Sequence, residues 1–324
     1  MAAGTISDEP ITRIDELTLA PGSSARFRDR LLSEYVPLAS PLGLELADIS
    51  LAPPIDLSDR ESDMFITWRL ADVDGFWRAR AGMMRNPGLA KFWESTADLW
   101  TRRERRYARS SSEPVPATDR QQQPLPSAST HSIVLINISS EGPRSVVAPP
   151  FVDRSWFGEH LPGSVGESDA SWELDAHRAV AMEDLTGLSG EVADIAVIED
   201  VRGGALRTPS LDHCVKRTLL LQVKEGIPDS VVASFEADLL AMPQYIGAIK
   251  NWRLSRVTTM RHSWTHAWEQ EYADLTGLQH DYMRSPFHWG VVDSWFDPEG
   301  PRCIVEPGFQ HLFYEVEKSV LSPA

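Results

Sequence analysis

Three side chains near the end of the chain have the types and spacing for acid–base chemistry: His266, Tyr282 and His288. An imidazole with an ordinary pKa of about 6.5 is available as a neutral base at pH 7. Tyr282 lies six residues before His288, and its phenol could donate to a carbonyl or enolate oxygen, or orient the ring. A base beside such a donor is the equipment for removing a proton next to a carbonyl group.

The elements around them must hold these groups still. SWTHAWEQEY alternates aromatic and polar residues as a half-buried strand does. His266 then shares a face with Trp264 and Trp268. Asp274 is a helix N-cap candidate, and ADLTGLQHDYMR places Leu275, Leu278, Tyr282 and Met283 on one helical face. Ser285–Pro286 ends that helix, because the residue before proline is forced out of the helical region, so His288 sits just past a fixed corner. Upstream, CVKRTLLLQVK and IGAIKNWRLSRVT read as strands around the amphipathic helix IPDSVVASFEADLLAMP, capped by Asp229 or Ser230. With CIVE as the last strand the order is β-α-β-β-α-β, the ferredoxin-like unit. The tail GFQHLFYEVEKSV is read as cover for an open sheet edge.

The run THAWEQEYADLTGLQHDYMRSPFHWGVVDSWFDPEGPRCIVE resembles the stress-responsive α/β-barrel (Dabb) family, most closely its olivetolic acid cyclase branch in plants. The most specific piece is DY-x-x-x-P-x-H, and the resemblance reaches back to about Val215. It implies that His288 is a general base, that Tyr282 assists it and that His266 lines the pocket. It also implies a small-molecule carbonyl or polyketide-like substrate. Two positions depart from the pattern. Arg217 stands where the cyclase branch has a first-strand histidine, and Glu306 where it has a last-strand aspartate. An arginine cannot be a base but can hold a carboxylate or enolate, so Arg217, Glu306 and Trp268 are the substrate-binding candidates.

Further upstream, TRIDELTL, GLELADISLAP and DMFITWRLADVDG read as strands. One helix opens at Pro21-Gly22-Ser23, and a second runs from about Asp74 to Trp100, bent near Asn86-Pro87-Gly88. LAPG, ITWRLADVDGFWRAR and RNPGLAKFW resemble the NIPSNAP-like branch of the dimeric α/β-barrel proteins. Together the resemblances imply an α+β fold of tandem ferredoxin-like units forming an intramolecular dimeric α/β barrel, with the first unit as scaffold for the pocket of the last. The expected division is 1–108 (NIPSNAP-like unit), 109–130 (Ser/Pro/Gln-rich linker), 131–212 (a middle, degenerate ferredoxin-like unit) and 213–324 (Dabb-like unit). HSIVLINIS is a buried strand that could complete the first unit or begin the middle one. Residues 141–169 show little periodicity, and ASWELDAHRAVAME and EVADIAVIED read as two strands. ADVDGF, EDLTGL and ADLTGL echo one another after a strand, which favours three related units.

The formal charge of −16 over 324 residues argues against nucleic acid or anionic membrane as partners. No apolar run approaches a membrane span and no secretory signal is visible, so a cytoplasmic home is expected. Two cysteines make neither a disulfide framework nor a zinc site. His262 and His266 have zinc-like spacing on a helix, but on a strand they lie about 13 Å apart, so no metal is expected. No phosphate-binding loop or nucleophile elbow is present. Trp68, Trp77, Trp93 and Trp100 read as core, and a haem would need an axial ligand that the sequence does not offer. Arg78, Arg80 and TRRERRYAR read as a solvated face. The expectation is a cofactor-independent enzyme: an aldol-type cyclase, a retro-aldol lyase or an isomerase. The alternative is a non-catalytic binding or assembly barrel. A homodimer stays open.

Overall fold

The computed structural model describes residues 9–110, 121–126, 130–138, 147–185 and 190–323, and the statements below concern these residues. The chain divides into two compact units. One contains Met1–Val115 and Trp289–Cys303, the other Pro116–His288 and Ile304–Ala324.

The first unit has strands β1 (Ile11–Leu19), β2 (Glu45–Ala52), β3 (Ser62–Leu70) and β4 (Trp100–Ala108). They form an antiparallel sheet in the order β2-β3-β1-β4, the complete ferredoxin-like arrangement. Between β1 and β2 run helices α1 (Ser24–Arg30) and α2 (Val36–Ala39), joined by a π-helical turn at Leu31–Tyr35. Between β3 and β4 lie α3 (Val73–Met84) and α4 (Pro87–Ser95). Asp72 caps α3 by accepting from the Gly75 N–H at 2.6 Å. Asn86 and Pro87 make the break read from the sequence, with Asn86 accepting from Gly88 N–H at 3.1 Å. The second helix ends at Ser95, and Trp100 begins a strand. The fourth strand is therefore the arginine run itself, and HSIVLINIS belongs elsewhere.

That assignment corrects the solvated-face reading of the arginines. Arg78, Arg102 and Arg106 are exposed, but Arg80, Arg103 and Arg105 are buried. Strand alternation turns every second residue inward, and acids offset their charge there. Arg105 donates to Asp15 and to Asp297 at 2.7 Å each, and Arg80 donates to Asp293 at 2.7 Å. Asp293, Asp297 and Glu299 come from the Trp289–Cys303 segment, which belongs to this unit although its flanks belong to the other. Around the cluster pack Tyr35, Trp68, Phe92 and Trp93, with Trp77 and Trp100 at the margin.

The second unit holds β5 (Thr130–Ile138), β6 (Val152–Glu159), β7 (Ala170–Ala176), β8 (Gly190–Leu206), β9 (Asp212–Leu221), β10 (Ile249–Thr259), β11 (His266–Tyr272) and β12 (Gln310–Lys318). Helix α5 (Asp229–Tyr245) joins β9 to β10. All eight strands form one antiparallel sheet, β12-β9-β11-β10-β8-β5-β7-β6. Its two halves, β8-β5-β7-β6 and β12-β9-β11-β10, repeat the ferredoxin-like strand order. β8 is long enough to serve both, pairing β5 through its first residues and β10 through its last. The outer strands approach at the far seam, where Leu161 N–H donates to Phe313 O at 2.9 Å and Val165 bridges His311. Gly158 on β6 permits that approach, since a Cβ there would lie 2.0 Å from Tyr314. The fold is thus tandem ferredoxin-like units forming an intramolecular dimeric α/β barrel. The last repeat shares its barrel with the middle repeat, not with the first unit, whose strands form a separate sheet.

Three further expectations change. The 141–169 stretch contains β6, whose mixed burial hid its period. CIVE supplies only a bridge, Val305 to Val223. The last strand is β12, inside the tail read as edge cover; within QHLFYEV only Glu315 is exposed and His311 half-buried. Residues 111–120 and 127–129 of the linker, and 186–188 of the middle echo, lie outside the described residues. No helix among the described residues is long and apolar enough to cross a membrane.

Candidate functional site

Every residue of β11 is buried, because both faces of the sheet are covered. The two faces carry different chemistry. Lys216 on β9 reaches Glu173 on β7 at 3.0 Å and Glu269 on β11 at 2.8 Å. β9 and β7 are far apart in the sheet, so this bond crosses the barrel interior. Arg217, the next residue, points the other way, toward the helices. Register places Gln270 opposite Arg217, Trp268 opposite Leu219 and His266 opposite Leu221, so all three lie on that outer face.

The helical segment after β11 begins as the sequence indicates, with Asp274 accepting from Gly277 N–H at 3.0 Å. It then widens into a π-helical turn, Gly277–Tyr282, a local form found often at functional sites. The extra residue turns Tyr282 inward, where it is 2% exposed, while its neighbour Asp281 stays exposed beside His280. Ser285–Pro286 breaks the helix and starts the short α6 (Pro286–Gly290), which presents His288.

The structure brings Arg217, Tyr282 and His288 together. The His288 ring lies 4.1 Å from the Tyr282 ring, centroid to centroid. The Arg217 guanidinium lies 4.9 Å above the face of the same tyrosine. Arg217 Nε donates to His311 Nε2 at 2.6 Å, and its Nη1 donates to Gln270 Oε1. That oxygen also accepts from the Tyr272 hydroxyl at 2.9 Å. Burial and the Arg217 charge push His288 down to about 3, against a partly offsetting bond to the Tyr282 backbone. Burial, Arg217 and His288 hold His311 well below the ordinary imidazole value. Both rings are therefore neutral at pH 7. His288 and His311 are half-buried, whereas Arg217 and Tyr282 are buried.

The other candidates lie apart from this group. His266 Nε2 donates to Glu236 Oε1 at 3.2 Å, its Nδ1 meets Thr265 Oγ1 at 2.7 Å, and the ring packs edge-on against Phe235 of α5. It faces the helix layer, not the barrel interior. Trp268 is fully buried core on the same face. Glu306 sits in the loop before β12, its N–H bonded to Gln222 O at 2.8 Å, so it is not on the last strand. The Tyr282 hydroxyl is directed to Met242 Sδ at 4.0 Å, a weak acceptor. His311 and Gln270 were missed. The alternation in HLFYEV was the available signal for His311, once that run is taken as a strand.

The barrel interior holds a second polar cluster. Besides Lys216, Glu269 receives Arg253 at 2.6 Å, and Glu173 receives the Tyr314 hydroxyl and His131 Nε2. His131 Nδ1 meets Asp175 at 2.6 Å. His131, Glu173 and Glu269 bring ligand atoms within 4.8 Å of one another, as a metal site would. Here Lys216, Arg253 and Tyr314 already occupy those carboxylate oxygens with proton donors, so the cluster is an ion-pair network. His262, the other half of the zinc-like pair, bonds Asp194 at 2.7 Å.

Among curated proteins none matches the chain. A NIPSNAP family protein of unknown function from Agrobacterium tumefaciens is similar at 18% identity, covering 32% of this chain and 90% of that one, with a TM-score of 0.27. A NIPSNAP-like domain protein from Burkholderia xenovorans is similar at 16% identity, covering 34% and 91%, with a TM-score of 0.28. An anthrone oxidase-like protein is similar at 9% identity over 98% of this chain and 97% of its own, with a TM-score of 0.23. Residues 215–305, which carry Arg217, Tyr282 and His288, match the family model of the stress responsive A/B barrel domain.

Proposed function

We propose that the last repeat is a small-molecule site in which His288 removes a proton next to a carbonyl group, without a cofactor. The observation that carries this reading is the neutral His288 ring in contact with Tyr282, whose face supports the Arg217 guanidinium. A neutral imidazole can accept the proton, and does so more readily once a bound anion offsets the Arg217 charge that holds its basicity down, while that cation favours the negative charge developing on the carbonyl oxygen. The Dabb match over this segment supports a small carbonyl or polyketide-like substrate. Aldol-type cyclisation, retro-aldol cleavage and isomerisation share this step. His266, satisfied by Glu236 and Thr265, is a structural histidine in this reading, and Trp268 is core.

A binding protein without catalysis is the second reading, favoured by the Tyr282 hydroxyl being directed to Met242. Exchange of α-protons for deuterium in small ketones, followed by NMR, separates the two. Exchange above the buffer rate that is lost in His288→Ala supports catalysis; a bound ketone whose α-protons do not exchange rules it out.

A further inference from the structure

Among the described residues the buried arginines lie within ion-pairing distance of an acid, Arg103 least closely at 3.6 Å from Asp15, with one exception. Arg13 lies 2.9 Å from Asp15, Arg80 2.7 Å from Asp293, Arg105 2.7 Å from Asp15 and Arg253 2.6 Å from Glu269. Arg217 is 4% exposed and has no carboxylate within ion-pairing distance among the described residues. Its partners are neutral: the His311 ring, the Gln270 amide and the Tyr282 face. Arginine cannot shed its proton to escape burial, and a buried charge without a counter-charge is strongly destabilising. Such a group persists where something else supplies the charge.

We propose that Arg217 is the carboxylate-binding group of this pocket, so that the molecule taken up by the last repeat is an anionic carbonyl compound, an oxo acid. This rests on the reading of the pocket as a small-molecule site. The guanidinium has five N–H groups; Nε–H is committed to His311 and one Nη1–H to Gln270. The remaining ones form an edge suited to a carboxylate. Because His311 Nε2 accepts from Arg217, the ring proton sits on Nδ1, and His311 is a donor on its partly open side. Gln270, whose Oε1 takes Arg217 Nη1, has its Nε2 buried with no hydrogen-bond partner among the described residues, so the same amide carries a second donor. The carboxylate would anchor at Arg217, leaving the carbonyl end of the molecule to His288.

The test uses the full chain and two matched pairs of probes: acetoacetate with methyl acetoacetate, and levulinate with methyl levulinate. Each pair differs by one charge. Calorimetric titration is expected to show the acid binding at least ~10-fold more tightly than its ester, the usual worth of a charge-assisted hydrogen bond. Arg217→Gln should erase the preference, and Arg217→Lys should keep part of it. The unliganded Arg217→Gln chain should melt no lower than wild type, since an uncompensated charge has been removed. Equal binding of acid and ester, or binding of neither, would overturn the inference. So would an Arg217→Gln chain that melts well below wild type while keeping the preference. His288→Ala should keep the preference for acids while losing α-proton exchange. A wild-type chain that prefers acids but exchanges no α-protons therefore defeats only the catalytic reading, and exchange without preference defeats only this one.

Discussion

Lys216 and Arg217 are neighbours on β9, both buried, and their surroundings are opposite. Lys216 lies inside the barrel between Glu173 and Glu269; Arg217 lies under the helices against His311, Gln270 and Tyr282. The interior network also joins the two repeats, since His131, Glu173 and Asp175 come from one and Lys216, Arg253, Glu269 and Tyr314 from the other. Balanced charge there is architecture, a set of bonds that closes the barrel correctly. Unbalanced charge on the outer face is, in the reading proposed above, what an anionic ligand would complete. Two adjacent residues with the same charge thus mark the two faces on which the structural and the functional readings can be tested separately.

This contrast can be broken from either side. The largest effect is expected on the outer face: His288→Ala should lower α-proton exchange by ~10²–10⁴-fold, the usual contribution of a general base, with little change in melting temperature. A His288→Ala chain that exchanges at the wild-type rate would remove the catalytic reading. On the interior face the effect should be on stability instead. Lys216→Ala leaves Glu173 and Glu269 buried without their shared cation, at a cost of about 3–5 kcal/mol. That corresponds to a fall of about 6–20 °C in melting temperature for a unit of this size, read by circular dichroism. A fall as large for Arg217→Gln would erase the distinction between the faces.

The two faces should also differ in pH dependence. His288 is held down to about 3, so it stays neutral in the folded chain where the unfolded chain takes up a proton. Its contribution to stability is present above the ordinary imidazole value and is lost as pH falls toward 3. His131 is opposite: burial and Arg253 lower it, but Asp175, Glu173 and Glu269 outweigh them and raise it. Its contribution is present below the ordinary value and is lost as pH rises through the raised one. Melting curves across pH should therefore flatten on the acid side in His288→Ala and on the alkaline side in His131→Gln. The exchange rate should stay level down to about pH 5 and fall toward about 3 as His288 protonates, instead of rising through the ordinary histidine range. The smallest effect should be Tyr282→Phe. The sequence alone points to a loss of ~10–10³-fold, as for an oxyanion donor. The hydroxyl is directed to a thioether and the ring face is kept, so a change below ~10-fold is expected. A larger loss would show that the phenol turns toward the substrate.

Much of the local structure was legible in the sequence. The echo of ADVDGF and ADLTGL corresponds to one device used twice, Asp72 on Gly75 and Asp274 on Gly277. In the middle copy Asp184 accepts instead from Ala181 N–H within a short 3-10 turn. The Pro286 corner and the Asn86-Pro87 break were equally readable, because caps and prolines act through backbone geometry within a few residues. Arg217, Tyr282 and His288 were singled out, but His311 was not, since its run was taken for edge cover. The arginines of β4 were misplaced because charge suggests solvent until the partner acids are known, and those lie on a different strand in Asp15 and far along the chain in Asp297 and Glu299.

The sequence by itself determined where most of the strands and helices form and where they are capped and broken, with β4, β6 and β12 as the exceptions. Each of these is a matter of dihedral preference and short-range periodicity. Only the tertiary structure decided which repeat shares a barrel with the last, which unit holds Trp289–Cys303 and on which face of β9 the buried charge is balanced by acids. A period of two says that Lys216 and Arg217 point apart. When both faces are buried, it does not say which charge will meet its counter-charge, because that depends on residues brought from distant strands.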